Sequence, residues 1–236
     1  GSDGSWSFTP TAPLSEGQHN LTSTVTDAAG NTGPGSTAVI VIVDTSAPAV
    51  ASELLLSNDQ SGTPVPVSNG LTNDTTPVLS GRAEPGSTVT ISDGDTVLGT
   101  ATVGNDGSWS FTAPVLAAGD HSLTTTVTDT AGNTSEPSAA LSFTIDTTTP
   151  AAPGNVQLSD DQSGTPVLIT SGATNDTTPV LSGSGTAGST ITVSDGNTVL
   201  GTTTVNDDGS WSFTPATALG EGQHSLTATE TSPAGN

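Results

Sequence analysis

The 236-residue sequence contains no cysteine, no methionine and no lysine, and Arg82 is its only lysine or arginine. Without cysteine there is no disulfide framework and no thiolate to act as metal ligand or nucleophile. One cation against 23 acidic residues gives a formal net charge of −22 and a pI near 4.1. Such a chain lacks the positive footprint that DNA, RNA or an anionic lipid surface requires. Nucleic acid is excluded as a partner. No run of about 18 apolar residues is present to cross a bilayer as a helix, so membrane insertion is not expected. The missing methionine, at position 1 included, reads as an internal stretch of a longer protein.

Aromatic residues are also scarce, and their placement is informative. All three tryptophans lie in one octapeptide: "SDGSWSFT" from Ser2, "NDGSWSFT" from Asn105 and "DDGSWSFT" from Asp207. Trp6, Trp109 and Trp211 are spaced 103 and 102 residues apart, so the chain is an array of a repeating unit. Threonine, valine and serine dominate, and the apolar residues alternate. Leu123, Thr125 and Val127 share one face, as do Leu141, Phe143 and Ile145, and as do Val89 and Ile91. Period two marks half-buried strands. One unit predicts about seven strands, near 51–57, 76–81, 87–92, 96–103, 107–112, 121–128 and 138–145. That is the strand complement of an immunoglobulin-like β-sandwich.

The expected fold is all-β, tandem immunoglobulin-like β-sandwiches in a rod-like array. Residues 1–44 cover the last three strands of a unit, 45–146 a complete unit, and 147–236 a unit without its last strand. The incomplete ends either borrow strands from another chain or pack as exposed sheets on their neighbours. Tryptophan and phenylalanine at i and i+2 of "SWSF" point to one side of a strand. We read them as core anchors, since so small a stock of large apolar groups leaves little to spare; the other reading is a carbohydrate-stacking platform. Gly107 and Gly209 supply positive φ to the hairpin turn ahead of each tryptophan.

The ordered motifs "VDTSAPA", "SNDQSG", "TNDTTPVLSG", "NDGSWSFT" and "TDTAGN" resemble the bacterial Ig-like repeats of giant secreted biofilm adhesins, the type I-secreted RTX-type or Bap-like surface proteins. The resemblance spans the whole chain. It implies an extender segment at the extracellular bacterial surface, supporting adhesion and biofilm formation, with Ca²⁺ as the bound ion and neighbouring repeats of the same chain as partners. Contact with a host or abiotic surface is then left to other regions, and the "GGxGxD" nonapeptides are absent.

Residue chemistry agrees with a hard cation, because Ca²⁺ takes about six to eight oxygen ligands from carboxylates, carbonyls and water. The acidic residues concentrate in loops: Asp59, Asp74, Asp93, Asp129, Asn133 and Asp146, with Asp27 and Asp44 before them and Asp161, Asp176 and Asp195 after. Alternating strands place the 57–75 loop, the 92–96 turn and the end of the last strand at one pole. The "DxAGN" loop lies at the other, so each "DT" linker meets carboxylates from both sides. These residues also favour turns without a metal. For "SDGD" and "NDGS" the turn reading is the stronger; for Asp44, Asp74, Asp146 and Asp176, ligation is. Ser232 stands where Asp27 and Asp129 do, so the last junction should bind more weakly or through other oxygens.

His19, His121 and His224 occupy one equivalent position and read as surface residues at a strand start. With one histidine per unit and no cysteine, zinc or nucleophilic catalysis has nothing to assemble from. The chain is therefore expected to be no enzyme. The rival reading is a carbohydrate-binding module array attached to a secreted glycosidase, which would need more exposed aromatics.

Overall fold

The computed structural model describes residues 1–170 and 172–236. It is all-β, and none of the described residues is helical. The strands are β1 (Gly17–Leu21), β2 (Val39–Val43), β3 (Ser52–Asn58), β4 (Val65–Pro66), β5 (Leu71–Thr72), β6 (Val78–Arg82), β7 (Thr88–Asp93), β8 (Thr96–Thr102) and β9 (Ser108–Thr112). There follow β10 (Gly119–Thr128), β11 (Leu141–Ile145), β12 (Gly154–Asp160), β13 (Val167–Leu168), β14 (Val180–Ser184), β15 (Thr190–Asp195), β16 (Thr198–Thr204), β17 (Ser210–Phe213) and β18 (Leu226–Thr231). The seven strands expected between 51 and 145 are present, and β4 and β5 lie within the loop expected at 57–75. Two residues are too few to show a period. These short strands owe their form to neighbours: β4 runs back along β3, with Ser57 opposite Pro66, and β5 lies parallel to β11.

The middle repeat has two sheets, ordered β4-β3-β6-β9 and β5-β11-β10-β7-β8. The third repeats the scheme as β13-β12-β14-β17 and β16-β15-β18. Its core draws on both sheets: Leu181, Ile191, Val193, Val205 and Trp211 are buried, with Leu158, Leu200, Phe213 and Ala228 packed against them. Burying each such side chain contributes about 1.5–3 kcal/mol. Trp109 and Trp211 are 5% and 2% exposed, as the core reading expects. Glycine explains how rings so large fit a sheet of valine and threonine. A Cβ on Gly81 would stand 3.0 Å from the Trp109 ring, and one on Gly183 would stand 2.7 Å from the Trp211 ring. Gly107 and Gly209 each adopt φ 81°, which supplies the tight turn ahead of the tryptophan.

Residues 1–44 correct one expectation. They form two strands rather than three, β1 paired with β2 from Gly17↔Val43 to Leu21↔Val39. Residues 5–9 are not a strand, and Trp6 and Phe8 are 70% and 76% exposed. The cause is pairing. In the third repeat the strand carrying this motif, β17, is held by β14, with Gly183 opposite Trp211. Residues 1–44 contain no counterpart of β14, so the same octapeptide neither pairs nor buries its rings. The described chain falls into two compact units. One comprises residues 1–54, 80–111 and 123–140, the other residues 55–79, 112–122 and 141–236.

Candidate functional site

The "DxAGN" loops close on themselves through aspartate and asparagine. The Asp129 carboxylate accepts the backbone N–H of Ala131 (2.8 Å) and of Asn133 (2.9 Å), and the Asn133 side-chain amide (2.8 Å). Asp27 holds Ala29 and Asn31 in the same way. These bonds, the asparagine side chain foremost, keep both carboxyls below the usual carboxylate range. In the third copy the Ser232 hydroxyl takes the aspartate's place, accepting from Asn236 N–H at 3.1 Å. The loop survives the substitution because a single acceptor oxygen closes this turn.

The asparagine then reaches the linker. Asn133 Nδ2 donates to the carbonyl of Asp44 at 3.1 Å, and Asn236 Nδ2 donates to the carbonyl of Asp146 at 2.7 Å. Each contact lies within one of the two compact units, and the two are equivalent by position in the repeat. At the second, Asp146 N–H donates to the Thr72 carbonyl and Asn73 N–H to the Ala234 carbonyl. The groups that meet at this linker are the backbone of Thr72, Asn73 and Ala234 and the Asn236 amide, while Asp59 and Asp74 of the 57–75 loop bond to each other. Asn133 enters as an amide donor, a role its reading as a ligand did not anticipate.

The aspartates beside the linkers cap their own turns. Asp44, Asp74, Asp146 and Asp176 each accept through Oδ1 the backbone N–H two residues on, at Ser46, Thr76, Thr148 and Thr178 (2.8–3.0 Å). The "NDGS" and "DDGS" turns do the same at Asp106 and Asp208. The signal was in the sequence as aspartate followed two residues later by serine or threonine. Asp74 is fully buried and Asp176 nearly so, and their Oδ2 atoms accept from Asp59 N–H (3.1 Å) and Asp161 N–H (3.3 Å). Asp59 and Asp161 thus join their partners through backbone. Asp93 stands at the end of β7, opposite Leu123 and Thr96.

Carboxylate and carbonyl oxygens suit a hard cation, but beside the second linker the Thr72 and Asn73 carbonyls already accept hydrogen bonds, from Asp146 N–H and from Gln60 Nε2. Their arrangement is hydrogen-bonded rather than cage-like. Among the described residues no three of histidine, aspartate and glutamate gather to hold a metal. One acidic residue outside the expected set belongs to the first linker. The Glu16 carboxylate accepts from Thr45 N–H and Oγ1 and from Ser46 Oγ, and the Thr45 hydroxyl above all lowers its pKa. Its counterpart ahead of the second linker is Ala118.

All three histidines tie down the loop before them, each placing Nε2 on a carbonyl four residues upstream: Ser15, Ala117 and Gly220. His224 also sets Nδ1 2.7 Å from Asp195 Oδ2, while Asp195 Oδ1 accepts Ser225 N–H. Both ring nitrogens face acceptors, and only the imidazolium donates to both. The Asp195 hydrogen bond, then the Gly220 carbonyl, raise the His224 pKa; the same bond lowers that of Asp195. The pair's stabilisation is present below the unfolded histidine value of about 6.5 and is lost as pH rises through the higher folded one. On the acid side it is lost as pH falls through the lowered Asp195 value. Between pH 5.5 and 8.5 the third repeat should therefore lose melting temperature relative to an Asp195→Asn variant measured alongside. Parallel curves for the two proteins would refute the coupling.

Comparison with known proteins now places this architecture. The family model described as bacterial Ig-like domain matches residues 1–45, 49–147 and 150–236. Eleven chains of solved structures match. One of them, titled "Biofilm associated protein - BSP domain", is 29% identical, with a TM-score of 0.27, over 69% of this chain and 26% of that one. The chain thus spans about a quarter of that structure's length. No curated protein matches. With three consecutive matches covering nearly every residue, the chain belongs to the bacterial Ig-like domain family.

Proposed function

We propose that this chain is a non-enzymatic extender segment of a bacterial cell-surface adhesin, exported to the extracellular face. Its repeats carry a distal adhesive region away from the cell. The observation that carries the reading is the asparagine contact, repeated at equivalent positions, of Asn133 on Asp44 and Asn236 on Asp146. A spacer needs each linker held in the same way at every junction, and an amide fixed by its own loop does that. The carbohydrate-module reading is the weaker one, because the tryptophans of the two fuller repeats are buried and offer no ring face to a sugar.

Ca²⁺ is the second element of the proposal. When bound it would draw on oxygens of Asp59, Asp146 and the neighbouring carbonyls, and neutralise charge in a segment with a single arginine. The screening length at physiological salt is about 8 Å, too long to silence carboxylates in neighbouring loops. At about 100 times its dissociation constant, a bound ion adds roughly 2.7 kcal/mol per site. Small-angle scattering in EDTA and in millimolar Ca²⁺ tests this part. The expected result is a narrower spread of dimensions with Ca²⁺, lost in Asp146→Ala. Superimposable profiles in the two buffers would leave the asparagine contacts as the sole fastening. Asn236→Ala tests that fastening by itself, with a broader distribution expected in both buffers.

A further inference from the structure

The middle and third repeats close one corner of their cores by different chemistry. In the middle repeat Val127 points inward from β10, fully buried and opposite Val89 of β7. Its counterpart on β18 is Glu230, opposite Ile191 of β15. A carboxylate at a core position is costly unless hydrogen bonds receive it, and two further exchanges supply the room and the donor. Ala83 of the middle repeat becomes Gly185, and Glu84 becomes Thr186. A Cβ on Gly185 would stand 2.8 Å from Glu230 Oε2 and 3.0 Å from Val205 Cγ2, so the missing methyl keeps the space. Thr186 N–H then donates to Glu230 Oε1 at 2.8 Å. The acid has moved from loop to strand: Glu84 stands exposed on its loop, and Glu230 reaches the equivalent loop from β18.

These partners all lie between Gly185 and Val205, inside the repeat. In the middle repeat the segment that follows β10 meets that strand along its edge, where Ser138 and Ser135 Oγ accept the Thr125 and Val127 N–H. No cation answers Glu230. Arg82 lies in the middle repeat, and His224 pairs with Asp195, which stands opposite Leu226 at the other end of β15. Loops 184–189 and 232–236 carry no ionisable side chain, and the turn after Val205 carries Asp207 and Asp208, the latter tied to Ser210. The carboxylate therefore depends on its hydrogen bonds. Burial pushes its pKa up, and the bonds, Thr186 N–H first, outweigh burial and hold it below the usual value.

We propose that Glu230 is a carboxylate latch, peculiar to the third repeat, that holds loop 184–189 onto β18 while ionised and releases it in acid. Two neighbouring repeats of one fold then answer acid differently, since the middle repeat makes the same closure with valine. The latch also steadies the turn that follows β18. A Cβ on Gly188 would lie 3.6 Å from Pro233, and the 232–236 turn carries the Asn236 amide that holds the Asp146 carbonyl. The stabilisation is present above the unfolded glutamate value of 4.5 and is lost as pH falls through the lower folded one.

NMR of the full chain reads the latch directly. The Thr186 amide proton should titrate in step with the Glu230 carboxyl. Glu230→Gln, which keeps an acceptor oxygen without the charge, should remove that titration. At neutral pH the Thr186 amide should exchange about tenfold or more faster in Glu230→Val than in the wild type. A cycle with Gly185→Ala supplies the second measurement. The added methyl should lower the midpoint of the third repeat in the wild type and be tolerated in Glu230→Val, which restores the valine and alanine of the middle repeat. A Thr186 amide that ignores the Glu230 titration overturns the proposal. So does an equal loss from Gly185→Ala in both backgrounds, since the glycine would then serve packing alone.

Discussion

Trp211→Ala should unfold the third repeat, at a cost of about 3–5 kcal/mol. A domain of this size holds on the order of 5–15 kcal/mol in all. Trp211 is 2% exposed at the centre of a core whose other fully buried members are Leu181, Ile191, Val193 and Val205. Its indole N–H has no hydrogen-bond partner within the protein, so packing alone holds the ring and no polar contact survives its loss. Gly183→Ala attacks the same contact from the other side. The added methyl would meet the ring at 2.7 Å and the Gly154 carbonyl at 2.8 Å, and overpacking of this kind costs about 1–3 kcal/mol. Trp6→Ala is the internal control. Trp6 sits in the same octapeptide but is 70% exposed, so its truncation should stay within about 0.5 kcal/mol. Chemical denaturation of the three variants decides. Equal effects of Trp6→Ala and Trp211→Ala would mean that the motif, and not its burial, sets the energy.

The contrast between these tryptophans shows what a sequence carries and what it does not. The alternation in "SWSF" and "LSFTI" is local, and it located β9, β11 and β17 to within a few residues. Burial is not local. It requires the strand that supplies the opposite wall, and for Trp6 no such strand occurs in residues 1–44. The same distinction runs through the acidic loops. That Asp146 and the third loop, "SPAGN", would meet followed from strand alternation and the repeat. Which atom each residue offers did not follow, because an asparagine at a junction can present its oxygen to a cation or its amide to a carbonyl. Asn133 and Asn236 present the amide. The aspartate-x-serine/threonine pattern could have been read in advance, and it accounts for Asp44, Asp74, Asp146 and Asp176 as turn caps. Only the three-dimensional loop shows that Asp74 and Asp176 turn inward.

Asp74→Ala should lower the melting temperature by about 10 °C or more, and by the same amount in EDTA as in Ca²⁺. The Asp74 carboxylate is fully buried and accepts from Thr76 N–H (2.9 Å), Thr76 Oγ1 (3.2 Å) and Asp59 N–H (3.1 Å). Removing it leaves two partly buried backbone donors, Thr76 N–H and Asp59 N–H, without their acceptor. Each orphaned donor costs about 1–3 kcal/mol, so roughly 2–6 kcal/mol in all is expected. For a repeat of this length each kcal/mol moves the midpoint by about 4–8 °C. Asp74→Asn should recover part of the loss, since its amide oxygen can still serve Thr76. Its NH₂ group then faces Asp59 N–H and restores nothing there. The third repeat supplies a replicate, because Asp176 makes the same bonds to Thr178 and Asp161 at 6% exposure. Comparing the two buffers separates the roles that a carboxylate can play. A turn cap is lost whether or not a cation is present. A ligand matters only when the ion is there, so in that case the wild type and the alanine variant would melt together in EDTA and diverge in Ca²⁺. Such a divergence would reassign Asp74 from holding its own loop to holding the ion.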